Sequence, residues 1–265
     1  MQFASIDGTL IHYQVIGAPE GKPTLVFANS LGTDFRIWRD VIVRLAGDFA
    51  IVNYDLRGHG LSDAPSAPYA MSEHVADLAG LLDHLGADPA VIVGLSVGGM
   101  IAQGLAIERP DLVRGLVLVG TLAKFGEAAM WNERMAAVEA EGLEAYSHAI
   151  VERWFGAPYK ERARTEIAGY RNMVARTPER GYVGTCAALR DADYRDGVRS
   201  LTVPAIAIAG EYDLAATPEQ MADLARSIPE CRYEKVPGSG HIPCVEQPEY
   251  LVEVIRAFLA DAEIA

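Results

Sequence analysis

The sequence predicts an α/β fold: a mainly parallel central sheet, helices on both faces, and one inserted helical cap. Five continuous apolar runs, at residues 24–28, 51–54, 90–93, 115–119 and 205–209, read as strands buried on both faces. Segments at 35–46, 72–85 and 98–108 carry apolar residues at spacings of three and four, so helices fall between strands. This alternation breaks once, between Val119 and Ala205, where only helical patterns occur.

Taken in order, residues 2–6 and 10–16 read as a hairpin turning at Asp7-Gly8. Ser72 with His74-Val75 resembles a helix start, and Pro248 suits the first turn of a last helix at 248–262. The more polar run 232–236 reads as an edge strand. Helices are expected at 127–141, 143–155, 159–175 and 179–190. The expected organisation is therefore a core of residues 1–121 and 201–265, with residues 122–200 as the helical cap.

The chain of 265 residues is long enough for one large domain with an insertion, and 50% hydrophobic with 22% charged residues is ordinary for a globular protein. Three cysteines, Cys186, Cys231 and Cys244, show no C-x-x-C spacing, so neither a metal site nor a disulfide framework is expected. The N-terminus has no basic region followed by an apolar one, and no apolar run reaches the length of a membrane span. The expectation is a cytoplasmic protein with no membrane partner. A net charge of −13 argues against a nucleic-acid partner. Residues 122–200 hold 12 Lys/Arg and 12 Asp/Glu, so the whole imbalance lies outside them. An anionic substrate would meet a locally basic option only in that middle segment.

Chemistry centres on Val91-Ile92-Val93-Gly94-Leu95-Ser96-Val97-Gly98-Gly99-Met100, a strand, a sharp turn and a helix start. A serine on such a turn is held in a cramped backbone, so the residues two before and two after must be small; Gly94 and Gly98 are. The turn pushes the Ser96 hydroxyl outward and leaves the Val97 N–H at a helix N-terminus, suited to a developing negative charge. A serine needs a base, and the base needs an acid; for a nucleophile on a strand-to-helix turn of a parallel α/β sheet they are expected in the order Ser, Asp or Glu, His. Of six histidines only His148 and His241 follow Ser96, and His148 lies within a helical pattern. His241 stands in Gly238-Ser239-Gly240-His241-Ile242-Pro243, directly after the final strand. Asp213, just past the strand at 205–209, is the acid, with Glu211 as its rival and Asp191, Asp193 and Asp196 read as solvated. The loop Asn29-Ser30-Leu31-Gly32-Thr33-Asp34 follows the first parallel strand, and its Leu31 N–H would pair with that of Val97 as an oxyanion hole.

With these residues the chain resembles the α/β-hydrolase superfamily over its full length. Asp55-Leu56-Arg57-Gly58-His59-Gly60-Leu61-Ser62 is similar to the family's D-x-R-G-x-G-x-S turn, where the resemblance makes His59 structural. The family's commonest form of the first loop is His-Gly, and here Asn29-Ser30 stands instead; backbone donation is unaffected. Within the superfamily the chain resembles 3-oxoadipate enol-lactonases. That likeness rests on the 29–34 loop with Trp38, Trp131-Asn132-Glu133-Arg134, Arg153-Trp154-Phe155, and Asp213-Leu214-Ala215-Ala216-Thr217-Pro218. It implies a small anionic substrate, a five-membered enol-lactone with a carboxylate arm, opened through an acyl-enzyme without metal or organic cofactor.

The carboxylate arm needs a cation. Arg134 and Arg153 are the candidates, each near a tryptophan, and Trp131 and Trp154 would line the pocket. For each arginine the competing reading is a solvated helix residue, and for each tryptophan ordinary packing. Carboxylesterases, carbon–carbon bond hydrolases and cofactor-free perhydrolases share such a triad, and some members of the fold are non-catalytic small-molecule receptors. Oligomeric state is not legible.

Overall fold

The computed structural model describes residues 1–17 and 21–264. Its eight-stranded sheet comprises β1 (Gln2–Ile6), β2 (Thr9–Ile16), β3 (Thr24–Ala28), β4 (Ala50–Tyr54), β5 (Ala90–Leu95), β6 (Val113–Val119), β7 (Ala205–Gly210) and β8 (Arg232–Val236). Their spatial order is β1-β2-β4-β3-β5-β6-β7-β8. Pairings β1–β2 and β2–β4 are antiparallel and the rest parallel. Asp7 and Gly8 both take positive φ (46° and 84°), the conformation that matches a two-residue hairpin to strand twist.

Every residue of β5 and β7 is buried, as strands covered on both faces require. The chain runs from β3 to β4 on one side, then returns to place β5 on the other side of β3. Strand order therefore reverses between β3 and β5. Ligands of open parallel sheets bind outside the carboxyl ends at such a switch point. Here those ends are the loop holding Leu31 and the turn holding Ser96.

The core helices are α1 (Arg39–Leu45), α2 (Met71–Leu85) and α3 (Val97–Glu108). Between β6 and β7 come α4 (Ala128–Glu141), α5 (Leu143–Glu152), α6 (Ala157–Arg162), α7 (Arg164–Ala175) and α8 (Glu179–Asp191). Then follow α9 (Pro218–Ser227), α10 (Pro243–Glu246) and α11 (Pro248–Asp261). No helix of the described residues is long and apolar enough to cross a membrane.

Several boundaries differ from expectation, two of them for a clear local reason. The segment at 35–46 begins as a 3₁₀ turn, Phe35–Trp38, because the Asp34 carboxylate accepts the Arg36 N–H at 3.0 Å and tightens the entry. α2 starts at Met71, and Glu73, reaching back to the Ala70 N–H at 2.8 Å, satisfies its first turn in place of Ser72. The segment at 159–175 is two helices, broken at Ala163 (φ −124°, ψ 39°), and α5 stops at Glu152. Neither α9 nor the short α10 was expected.

The inserted helices sit over the carboxyl edge of the sheet. Gly181 of α8 lies directly on Gly58 after β4, so close that a Cβ on Gly181 would run into the Gly58 carbonyl. The adjacent Tyr182 is fully buried, and a Cβ at Gly32 would meet its ring at 3.2 Å. That contact seats α8 against the loop after β3.

Candidate active site

Ser96 caps α3 at φ 57° and ψ −116°, outside the regions that L-residues favour, at a cost of about 1–3 kcal/mol. A serine at this position ordinarily accepts a hydrogen bond from the helix's own first turn, but Ser96 makes no such bond, leaving its hydroxyl for other work. Surrounding contacts hold the strain. The Ser96 N–H donates to Val119 O at 2.9 Å, and Thr121 Oγ1 donates to Ser96 O at 2.7 Å. A Cβ on Gly94 would strike the Gly98 carbonyl, and one on Gly98 would strike that of Ala28. Gly98→Ala is therefore expected to lower the unfolding free energy by about 3 kcal/mol, since only backbone could give way. An unchanged urea midpoint would contradict this contact.

The Val97 and Gly98 amides open α3, and the first turn of a helix has no carbonyl partner for them. Facing them is the Asn29–Asp34 loop. Thr33 N–H donates to Ser30 O at 3.1 Å, the Thr33 hydroxyl to the same oxygen at 2.7 Å, and Asn29 Nδ2 to Thr33 O at 2.7 Å. His59 pins the loop from beneath. Its Nε2 accepts the Gly32 N–H at 3.0 Å while Nδ1 donates to Arg57 O at 3.0 Å. Burial lowers the His59 pKa, which keeps the ring neutral and able to accept.

Asp213 and His241 meet in the buried interior. His241 Nδ1 lies 2.8 Å from Asp213 Oδ2, and Asp213 Oδ1 accepts the N–H groups of Ala215 (2.7 Å) and Ala216 (3.1 Å). The carboxylate can only accept, so the proton belongs on Nδ1 and Nε2 carries the lone pair. Gly120 joins this pair to Ser96. A Cβ there would stand 3.1 Å from Asp213 Oδ2 and 3.2 Å from His241 Nδ1, and the preceding Val119 carbonyl binds the Ser96 N–H. Glu211 instead accepts the Gly238 N–H at 2.8 Å, bracing the start of the histidine loop. His148 is exposed on α5. Asp191 and Asp193 pair with Arg190 and Arg195 at the surface.

The four candidates from the insertion separate. Arg134 is half-buried, its guanidinium carbon 5.5 Å from the ring centres of both Trp131 and Tyr182, and it donates to the Tyr182 hydroxyl. Its Nε is buried without a partner, and among the described residues no carboxylate pairs with it. Trp131 is buried, with Nε1 donating to Phe125 O at 2.7 Å. Trp154 is buried too, and its carbonyl accepts the His241 N–H at 2.6 Å. Arg153 departs from expectation: it is exposed, its guanidinium 3.3 Å from Leu214 O, and so supplies no cation to a dry pocket. The physical reason is the turn that ends α5: the Arg153 and Trp154 N–H groups donate to Ile150 O (3.2 Å) and Val151 O (3.0 Å), and in that tight turn neighbouring side chains diverge, Trp154 taking the inward direction.

Sequence reasoning missed Tyr182, Gly120 and Glu246. Glu246 carried a readable signal, an acid closing the apolar run Ile242-Pro243-Cys244-Val245 just after His241. Tyr182 and Gly120 carried none, because their roles come from contacts far apart in the chain.

Comparison with known proteins agrees with this architecture. Residues 23–248 match the family described as having the alpha/beta hydrolase fold. 3-Oxoadipate enol-lactonase 2 of Acinetobacter baylyi is 32% identical over 249 residues, spanning 94% of this chain and 92% of that protein. The crystal structure of the enol-lactonase from Burkholderia xenovorans LB400 superposes with a TM-score of 0.94 at 35% identity, covering 98% of this chain and all of that one. A malate-bound thermophilic esterase from Thermogutta terrifontis gives a TM-score of 0.92 at 27% identity, covering 99% of each chain. The chain belongs to the alpha/beta hydrolase family.

Proposed function

We propose that this hydrolase opens a carboxylated enol-lactone, 3-oxoadipate enol-lactone plus water giving 3-oxoadipate, through a Ser96 acyl-enzyme. The observation that carries the reading is the strained Ser96 turn beside the hydrogen-bonded Asp213–His241 pair. Ser96 Oγ attacks the lactone carbonyl as His241 Nε2 takes its proton, and Asp213 holds Nδ1–H and stabilises the imidazolium. The Leu31 and Val97 N–H groups receive the oxyanion. When the tetrahedral intermediate collapses, the ring C–O bond breaks and the enol oxygen leaves with the proton from His241. The enol then ketonises. Water, deprotonated by His241, releases the acyl group and restores Ser96.

Residues 122–200 act as the cap in this reading, and Arg134 binds the substrate's carboxylate. A cation held between two aromatic rings with no carboxylate partner has bidentate capacity to spare. Tyr182 links it to Gly32 of the oxyanion loop, so a substrate carboxylate and carbonyl are served by adjoining groups. The enol-lactonase relatives support the choice of substrate. The esterase relative keeps a second reading in view, a carboxylesterase of the same fold.

An ultraviolet assay of enzymatically generated enol-lactone beside p-nitrophenyl acetate separates these readings. The expected outcome is a kcat/KM at least about tenfold higher for the lactone, equivalent to about 1.4 kcal/mol of preferential transition-state binding. Preference for the neutral ester would favour the carboxylesterase.

A further inference from the structure

His241 reaches the site on a loop that touches the helical insertion rather than the sheet alone. Its N–H donates to Trp154 O at 2.6 Å, and a Cβ on Gly240 would stand 2.6 Å from Gly156 N. One side chain closes this seam. Glu246, 2% exposed on α10, accepts the Gly240 N–H at 2.8 Å and the Ser239 hydroxyl at 3.2 Å through Oε1, and the Gly156 N–H at 2.8 Å through Oε2. One carboxylate oxygen thus holds the residue before His241, and the other holds the segment joining α5 to α6.

The donors around Glu246 are neutral. The nearby cation, Arg162, donates to the Glu246 main-chain carbonyl at 3.1 Å and lies over the Tyr159 ring, 5.1 Å from its centre. Tyr159 and Cys244 also face the carboxylate, and burial raises both, Tyr159 to about 12, so neither changes charge near neutrality. Asp40 of α1 acts on Tyr159 and Cys244 alongside Glu246, and His241 follows Gly240 in the chain. Burial pushes Glu246 up to about 7 against the hydrogen bonds that favour its ionised form. A proton on Oε2 would point an O–H at the Gly156 N–H and cancel that tie. One on Oε1 would turn the Ser239 hydroxyl from donor to acceptor, with Gly240 O 3.3 Å away to take its proton, and weaken the hold on the Gly240 N–H.

We propose that ionised Glu246 is a positioning residue that fastens the His241 loop to the cap, and that its protonation loosens the base from Ser96. The proposal rests on His241 being the base. Its sign follows directly: Glu246 is ionised above its pKa, so turnover falls as pH drops through about 7, with KM little changed.

The test measures kcat against pH from 5 to 9 with p-nitrophenyl acetate, for which the lactone assignment is irrelevant. Ser239→Ala removes one hydrogen bond from the ionised form, together with the same hydroxyl's 3.3 Å contact to Gly240 O. Its acidic limb is expected to move up by about one unit, the equivalent of about 1.4 kcal/mol. Glu246→Gln, fixed as a neutral group, is expected to turn over about tenfold slower at pH 8 and to lose the limb that Ser239→Ala displaces. If the limb stays in place in Ser239→Ala, or Glu246→Gln keeps the wild-type rate and profile, the proposal is overturned. Full activity in His241→Ala would instead overturn the assignment of the base, leaving the two failures distinct.

Discussion

Ser96→Ala is expected to lower enol-lactone turnover by at least about ten-thousand-fold while leaving the fold intact. The size of the effect follows from how the parts depend on one another. In the proposed mechanism His241 and Asp213 serve the formation and hydrolysis of a Ser96 acyl-enzyme, so without Oγ the Asp213–His241 bond of 2.8 Å would have no covalent intermediate to serve. What would survive is binding and the proposed oxyanion hole of the Leu31 and Val97 N–H groups. Stability should move by less than about 0.5 kcal/mol, because the lost atom makes no capping bond and alanine replaces serine without added bulk. Turnover and a urea midpoint measured on the same preparation check both halves. Near-normal turnover would overturn the triad, whereas loss of activity with a collapsed midpoint would say nothing about chemistry.

Much of this was legible because the constraints on Ser96 are local. A positive φ at the turn and the close approaches at Gly94 and Gly98 demand small residues at fixed offsets, and those offsets appear in the sequence. Asp213 and His241 follow at strand ends because parallel strands deliver their loops to one edge of the sheet. Legibility ends where a role depends on which way a side chain points. Arg153 and Trp154 are neighbours in sequence, yet the chain buries one and exposes the other. Nor does any glycine or proline mark the break at Ala163, so the period of three and four runs straight through it. Glu246 is a third case, an acid readable after His241 whose partners are not. Its partners Gly156 and Gly240 donate backbone N–H groups, which carry no residue signature.

Arg134→Leu is expected to raise KM for the carboxylated lactone by about a hundredfold and to leave a neutral ester almost unaffected. A charge-assisted hydrogen bond lost from a partly dry site costs about 1.5–3 kcal/mol, and a bidentate contact lies at the upper end of that range. Leucine keeps apolar bulk between Trp131 and Tyr182, so removal of the charge dominates over removal of packing. In the wild-type protein the buried Nε has no partner, and with no carboxylate pairing the guanidinium among the described residues, no internal ion pair must break before substrate binds. That readiness predicts an effect on KM more than on kcat, since the carboxylate lies away from the reacting carbonyl and is bound alike in ground and transition states. Steady-state kinetics on both substrates distinguish this from a structural fault. Equal losses on lactone and neutral ester would mean that Arg134 supports Tyr182, and through it the Gly32 loop, rather than the substrate's charge.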